Sequence, residues 1–156
     1  MTKAKQSSQT LATNRKARHD YLILETLEAG LELCGTEVKS VKNSSVSLAG
    51  AFVKVERGEA WLVNLQIPPY EHGNRFNHDP VRPRRVLLHA REIGYLQVQV
   101  EKKGNAIVPL RLYLKRGWVK IALGVCRGKT HGDKRATIRE RTAEREAARA
   151  VARVYR

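Results

Sequence analysis

Reactive side chains are few, and their spacing argues against metal or thiol chemistry. A structural zinc site needs about four ligands at recognisable spacing, whereas Cys34 and Cys126 lie far apart and form no CxxC pair. Each cysteine falls in an apolar, strand-like run, so we expect two reduced thiols in the core, although the count alone also permits a disulfide. Cys34 has no neighbouring base, and a thiol nucleophile therefore has little support.

Two histidines share a proline-rich segment with two acidic residues. His72 and His78 lie in residues 68–85 together with Glu71 and Asp79. Their spacing matches no metal-binding pattern, so we expect a long loop with polar side chains in water and no bound metal.

The adjacent residues His19 and Asp20 are a further candidate for acid–base chemistry. Neighbours on an extended segment point to opposite faces, so no hydrogen-bonded pair is expected. The chain also lacks a glycine-rich phosphate-binding loop. Together these observations predict no enzyme activity and no cofactor.

The net charge of the chain indicates a binding function instead of an enzymatic one. The 156 residues include 30 Lys and Arg against 15 Asp and Glu, a formal net charge of +15. Such a charge disfavours a compact state, and the usual compensating partner is RNA or DNA. No apolar run approaches the length of a membrane span, and the N-terminus lacks the pattern of a signal peptide. We therefore expect a cytoplasmic protein without a membrane partner.

Two segments combine side chains suited to RNA. In YEHGNRF, Tyr70 and Phe76 either stack on unpaired bases or pin the loop onto the body of the protein. In GTEVKSVK, Lys39 could meet a phosphate while Glu37 accepts hydrogen bonds from a base edge or ribose hydroxyl; both could equally be ordinary surface residues.

Alternating and helical patterns supply the elements that carry these residues. The sequence predicts strands from Tyr21 with a turn at Ala29–Gly30, a short helix in GTEVKSVKNSS, two hairpins turning at Arg57–Gly58 and Arg116–Gly117, and a helix from Ala90 to Lys102, where YLQVQV competes as a strand.

These elements predict a mainly β protein with flanking helices, an OB-like antiparallel β-barrel with a basic C-terminal tail. Residues 1–13 are polar and predicted to be a disordered leader, residues 14–127 the RNA-binding barrel, and residues 128–156 the tail.

The tail is alanine-rich, and arginines recur at four-residue spacing at positions 141, 145, 149 and 153. Like charges four apart repel on a helix, and the tail has no face wide enough to pack on the barrel. We therefore expect it to be disordered when free and helical against rRNA phosphates. A membrane-surface helix would need Trp, Phe or Leu on its apolar face, and the tail has none of them.

Several uninterrupted motifs resemble one family. They are NRKARHDY, EAGLELCGTEVKS, PPYEHGNRFNHDPVRPRRVLLH, VPLRLYLKRGWVKIALGVCRGK and DKR, in this order. From about Asn14 to Arg141 the chain resembles small protein B (SmpB), the SsrA-binding protein family of bacteria. The resemblance implies an OB-like barrel without bond chemistry, which binds the tRNA-like domain of transfer-messenger RNA (tmRNA) and brings it to stalled ribosomes. There the incomplete protein receives a degradation tag.

The resemblance also implies site residues and partners. RNA-facing residues would be Asn14, Arg15, Arg18, Tyr21, Glu37, Lys39, Tyr70, Gly73 and Asn74. Ribosome-engaging residues of the tail would be Lys129, His131, Asp133, Lys134, Arg135, Arg141 and Arg145. The implied partners are tmRNA and 16S rRNA near the decoding centre and the mRNA path, bound by a monomer whose tail becomes helical on the ribosome.

One position departs from the family pattern. Members often carry Tyr or His directly before DKR, whereas this chain has Gly132 there, His131 one residue earlier and Thr130 where a second Lys is usual. Three alternatives stay open: an OB-type module for structured RNA without a ribosomal role, a ribosomal protein, and an RNA-processing enzyme.

Overall fold

The computed structural model describes residues 9–43, 46–70, 77–129 and 131–154. These residues form seven strands and four helices, in this order: β1 Gln9–Thr13, α1 Arg15–Asp20, β2 Tyr21–Leu31, α2 Gly35–Asn43, β3 Phe52–Glu56, β4 Glu59–Val63, β5 Arg84–Leu87, α3 Ala90–Glu101, β6 Asn105–Lys115, β7 Trp118–Gly128 and α4 His131–Val154. The prediction of a mainly β protein with flanking helices is confirmed.

The seven strands form one antiparallel sheet in the order β1-β6-β3-β4-β5-β2-β7. Strand β6 also pairs with β7, so the pairings from β6 through β3, β4, β5, β2 and β7 return to β6. Alternate side chains of β6 and β7 point into one apolar core, which includes Ile107, Leu112, Ile121 and Leu123.

Both predicted hairpin turns are confirmed. Arg57 and Gly58 have φ angles of 50° and 74°, and Arg116 and Gly117 have φ angles of 51° and 78°. Positive φ at both central residues is the geometry of a type I′ turn, whose twist matches that of the flanking strands. Glycine at the second position removes the steric cost of that geometry there.

The predicted turn at Ala29–Gly30 is wrong, because β2 continues through both residues. Gly30 pairs with Lys120 of β7 on one side and with Leu87 of β5 on the other. A Cβ atom built on Gly30 would lie 3.2 Å from the Leu87 Cβ. The glycine therefore permits the close approach of β5 rather than a change of direction.

The N-terminal prediction is corrected in part. Residues 9–13 form β1, which pairs with residues 111–114 of β6, instead of belonging to a disordered leader. The remainder of the predicted leader, residues 1–8, lies outside the described residues. The segment QTLAT is too short for its alternation to reveal a strand, and it is stabilised by distant contacts: its pairing with β6 and the packing of Leu11 and Ala12 against the core.

The two cysteines occupy different environments. Both are free thiols, but only Cys126 is buried, and burial raises its pKa to about 11. Cys34 is exposed, which contradicts its predicted core position, because the chain leaves β2 at Leu31 and begins α2 at Gly35.

The helix predicted from Ala90 to Lys102 is confirmed as α3, which excludes the competing strand. At its start the Glu92 carboxylate accepts a hydrogen bond from the His89 N–H at 3.2 Å. Leu96 of α3 is fully buried in the core. The helical spacing of its apolar residues therefore determines the secondary structure of this segment, although YLQVQV alternates as a strand would.

Helix α4 differs from the expectation of a tail disordered in the free protein. Its backbone is helical from His131 to Val154, and every α4 side chain that the structure describes is exposed. The alanine-rich composition explains the helical backbone, and the four-residue arginine spacing explains the absence of a packed face in the described part. Across the described ranges, no helix is both long and apolar enough to cross a membrane.

Candidate nucleic-acid interface

Asn14 builds the start of α1. Its Oδ1 accepts a hydrogen bond from the Ala17 N–H at 3.1 Å, which caps the helix. Its Nδ2 donates to the Pro109 carbonyl at 2.9 Å and to the Leu48 carbonyl at 3.4 Å. The side chain is buried and fully engaged, so the predicted direct contact of Asn14 with RNA is corrected to a structural role.

The cations of α1 face solvent. Arg15, Lys16 and Arg18 are exposed, whereas Ala17 is buried against the sheet. The helix thus presents three positive side chains on a short, rigid element that Asn14 fixes to β6. Such a cluster can bind phosphates, and arginine can also do so in two-point geometry.

Tyr21 follows this helix and begins β2. It is half-buried and packs against a small cluster formed by Ala17, Val108, Leu110 and Cys126. One part of the ring is therefore fixed by apolar contacts while another remains open to solvent. A ring held in this way can present a π-face without losing much side-chain entropy on binding.

Lys129 joins α1 to the beginning of the tail. Its backbone N–H donates to the Asp20 carbonyl at 2.9 Å, and its Nζ donates to the Arg18 carbonyl at 3.1 Å. The chain therefore enters α4 directly beside the exposed cations of α1. The fold therefore brings Lys129 next to a basic helix that lies more than a hundred residues away in sequence.

His19 and Asp20 form the hydrogen bond that the sequence argued against, with 2.9 Å between His19 Nδ1 and Asp20 Oδ1. The prediction was wrong because these residues end a helix and do not lie on an extended segment. Both side chains are partly exposed.

We expect Asn14→Ala to lower the free energy of unfolding by about 1–3 kcal/mol, because the variant loses the cap and leaves two carbonyl groups without their donor. Urea denaturation measures this change. Thr13→Ala is the control, since Thr13 is exposed and adjacent. Unchanged stability together with reduced RNA affinity would contradict the structural role and restore a direct RNA contact.

Glu37 lies inside the protein and not on its surface. Its carboxylate accepts hydrogen bonds from the Arg82 and Arg84 guanidinium groups and from the Cys34 N–H at 2.9 Å. Glu37 and Arg84 are both fully buried, whereas Arg82 is partly exposed. The predicted contact of Glu37 with a base or ribose is therefore wrong, because its carboxylate is fully buried among these donors.

Electrostatics keep this buried group ionised. Burial would raise the pKa of Glu37, but the hydrogen bonds from Arg82, the Cys34 N–H and Arg84 outweigh it, so the pKa lies below its usual value of 4.5. Burial lowers the pKa of Arg84, which stays charged at neutral pH. Arg84 Nη1 also donates to the Leu65 carbonyl at 2.7 Å, so the cluster ties α2 to the loop after β4.

Lys39 and Tyr70 are brought together on the outer side of α2. Lys39 is exposed, and its Nζ lies 5.6 Å from the centroid of the Tyr70 ring. The Asn77 side chain holds the Tyr70 backbone: its Nδ2 donates to the Tyr70 carbonyl at 2.6 Å, and its Oδ1 accepts from the Tyr70 N–H at 3.0 Å. A cation and a half-buried aromatic ring thus form one surface. Gly73, Asn74 and Phe76 lie outside the described residues.

His78 anchors the second end of the proline-rich loop. Its Nε2 lies 3.0 Å from the Ile67 carbonyl oxygen, and its Nδ1 lies 3.0 Å from Thr36 Oγ1. In the part of the chain that the structure describes, no three His, Cys, Asp or Glu side chains could hold a metal ion. His72 and Glu71 lie outside that part.

The predicted tail residues other than Lys129 fall on one helix. His131, Gly132, Asp133 and Lys134 belong to the helical backbone of α4, which begins at His131. The side chains of Arg135, Arg141 and Arg145 are exposed. Sequence reasoning missed Arg82 and Arg84, whose only signal was the basic run in VRPRR.

Comparison with known proteins connects this arrangement to a family. The family model described as SmpB protein matches residues 11–153. The SsrA-binding protein of Ligilactobacillus salivarius strain UCC118 is 51% identical over 151 residues, which cover 97% of each chain. That of Staphylococcus aureus strain JH1 is 53% identical over 145 residues, covering 93% of this chain and 94% of its own.

A solved chain has the same fold. It comes from a structure described as "tmRNA-SmpB: a journey to the center of the bacterial ribosome", is 48% identical, and superposes with a TM-score of 0.66 over 82% of this chain and 94% of its own. Family model, relatives and fold agree over nearly the whole length. The chain belongs to the SmpB family of SsrA-binding proteins.

Proposed function

We propose that this protein binds the tRNA-like domain of tmRNA and delivers it to stalled bacterial ribosomes for trans-translation. The observation that carries the proposal is the group of exposed cations on α1, with Lys129 bound beside them where the basic tail begins, on a chain about half identical to SsrA-binding proteins. The role is binding without bond chemistry, in the cytoplasm where ribosomes work.

The body of the proposed complex is an OB-like barrel. Support comes from the strand pairings, which return to β6 through the β6–β7 pair, and from the main apolar core, to which β2, β3, β4, β5, β6 and β7 all contribute. Closure leaves few unpaired strand edges, so the surface is free for RNA rather than for other strands.

The proposed RNA contacts on the body are the exposed or half-exposed members of the predicted set. Arg15, Arg18 and Lys39 bind phosphates. The rings of Tyr21 and of Tyr70, which lies beside Lys39, are available for stacking on bases. Gly73 and Asn74 remain a proposal from the family pattern alone. Asn14 and Glu37 act indirectly, because each holds an element that carries these contacts.

The proposed ribosome contacts lie on the tail. Exposed guanidinium groups of Arg135, Arg141 and Arg145 are suited to rRNA phosphates, as are the cations of Lys129 and Lys134. His131 and Asp133 share the first turns of α4 with Lys134 and Arg135. We propose that this part enters the empty mRNA path near the decoding centre.

Binding of the full chain to tmRNA, tRNA and an unrelated RNA at two salt concentrations tests the proposal. Charge attraction alone weakens steeply with salt and treats the three RNAs alike. We expect a preference for tmRNA that persists at the higher salt concentration. Equal affinities for the three RNAs would overturn the proposal and favour a general RNA-binding module.

We expect the helix content of α4 in solution to rise when RNA is present. An isolated helix is marginally stable in water, and each arginine pair at four-residue spacing costs a few tenths of a kcal/mol, roughly. The difference in circular dichroism between the full chain and a chain ending at Lys129 isolates the tail signal. Full helicity at low salt without RNA would contradict this expectation.

A further inference from the structure

A cleft of about 400 Å3 opens between α1 and the strands β3 and β6. Two aromatic side chains line it, Tyr21 and Phe52, together with the polar residues Lys16, Asp20 and Asn105. Aliphatic side chains supply most of the remaining lining, including Val53, Val100, Ile107 and Val108. A concave, mainly apolar site with a few polar groups is the usual form of a binding pocket for a small planar group.

Phe52 is unusual because it is a large aromatic side chain on the outer face of a strand. Alternation along β3 buries Val53 in the core and leaves Phe52 40% exposed. The ring therefore contributes little to the core while presenting a π-face beside the cleft. Tyr21 lines the same cleft and is fixed by its apolar neighbours. Stacking on such rings is favourable for any nucleobase.

Asn105 supplies a group that can recognise a base edge. It is half-buried at the start of β6, and no described residue forms a hydrogen bond with its side-chain amide. An amide both donates and accepts, which matches the donor and acceptor groups on a base edge. Lys16 lines the same cleft and supplies the positive charge that an adjacent phosphate requires.

We propose that this cleft binds one unpaired nucleobase of the RNA partner, with Phe52 stacking on the base, Asn105 hydrogen-bonding its edge and Lys16 meeting the adjacent phosphate. The proposal rests on the proposed function and adds to it the place where the protein holds a base rather than the backbone. It explains how a highly charged protein discriminates among RNAs after charge attraction has brought them together.

Affinity of full-length variants for the tRNA-like domain of tmRNA tests the proposal. Phe52→Leu keeps an apolar side chain but removes the ring, and we expect its affinity to fall about 5- to 100-fold, equivalent to roughly 1–3 kcal/mol for one lost stack. Phe52→Tyr keeps the ring and should bind like the unmodified chain. Asn105→Ala should also weaken binding, with folding of each variant checked by urea denaturation.

The salt dependence separates stacking from charge. Phe52→Leu and Asn105→Ala should leave the slope of log affinity against log salt unchanged, whereas Lys16→Ala should reduce it by about one. Tyr95→Leu is the matched control, because Tyr95 is a similarly exposed aromatic residue on α3 that does not line this cleft. We expect no change in its affinity.

Three outcomes would overturn the cleft proposal: unchanged affinity in both Phe52→Leu and Asn105→Ala, an equal loss in Tyr95→Leu, or a changed salt slope in Phe52→Leu. If Arg18→Ala still weakens binding while the cleft variants do not, the proposed function stands and only the base site is wrong. Equal affinity of the unmodified chain for tmRNA and tRNA would instead overturn the proposed function.

Discussion

Replacing Glu37 by glutamine is expected to lower the free energy of unfolding by about 3–5 kcal/mol, because the change leaves the guanidinium of Arg84 buried without its counter-charge. Glu37 and Arg84 are both fully buried, and Arg82 donates to the same carboxylate. Urea denaturation at neutral pH measures the loss.

A surface ion pair gives the matched control for this substitution. Glu59 lies 3.5 Å from Arg85 Nη2, and both side chains are substantially exposed. Glu59→Gln should therefore change the free energy of unfolding by less than about 1 kcal/mol. If Glu37→Gln costs no more than this control, the buried cluster does not stabilise the fold as argued.

The pH dependence of stability provides a second readout of Glu37. Its folded-state pKa lies below 4.5, so ionised Glu37 stabilises the protein fully above its unfolded-state pKa. That stability is lost as the pH falls from about 4.5 through the lower folded-state value. The free energy of unfolding of Glu37→Gln should therefore decrease less, as the pH falls below 5, than that of the unmodified chain. The variant lacks the carboxyl group whose protonation destabilises the unmodified chain.

Loss of the Glu37 carboxylate should also weaken RNA binding, because it shifts residues that contact RNA and not because Glu37 contacts RNA itself. The cluster ties α2 to the loop before β5, so its loss should disturb the surface where Lys39 lies over Tyr70. Affinity should recover at low temperature or with a stabilising osmolyte if folding is the cause. A loss of affinity in a variant that is fully folded and keeps Lys39 over Tyr70 would indicate a direct role for the carboxylate.

Ending the chain at Lys129 is expected to abolish tagging on stalled ribosomes while preserving the preference for tmRNA over tRNA. The truncation removes α4, whose described side chains are all exposed, and retains the hydrogen bonds of Lys129 to Arg18 and Asp20. Overall affinity should fall mainly at low salt, because the lost arginines contribute charge rather than shape. A tagging assay and a binding assay on the same protein measure the two effects.

The expected tmRNA affinity depends on the residue at which the truncated chain ends. Ending the chain at Arg127 would also remove the N–H groups of Gly128 and Lys129, which donate to the Gly104 and Asp20 carbonyls. This shorter chain should lose tmRNA affinity as well, because α1 is no longer held at its end. If the chain ending at Lys129 also loses its preference for tmRNA, the separation of body and tail is wrong.

Sequence alone determined the features that depend on short stretches of chain. The Arg57–Gly58 and Arg116–Gly117 turns, helix α2 and helix α3 follow from turn chemistry and apolar period, which act over a few residues. The excess of positive charge indicated RNA, and uninterrupted motifs indicated the family, because neither depends on knowing which residues meet in space.

Tertiary structure decided what each polar residue does. Glu37 and Asn14 have the side chains of RNA contacts, but each also has partners that lie 34 to 95 positions away, and only the fold brings those partners close enough to bury both residues. Gly30 likewise suggested a turn until the approach of Leu87 explained it. Burial depends on the sum of distant contacts, so local pattern cannot distinguish a side chain that binds a ligand from one that holds the element beside it.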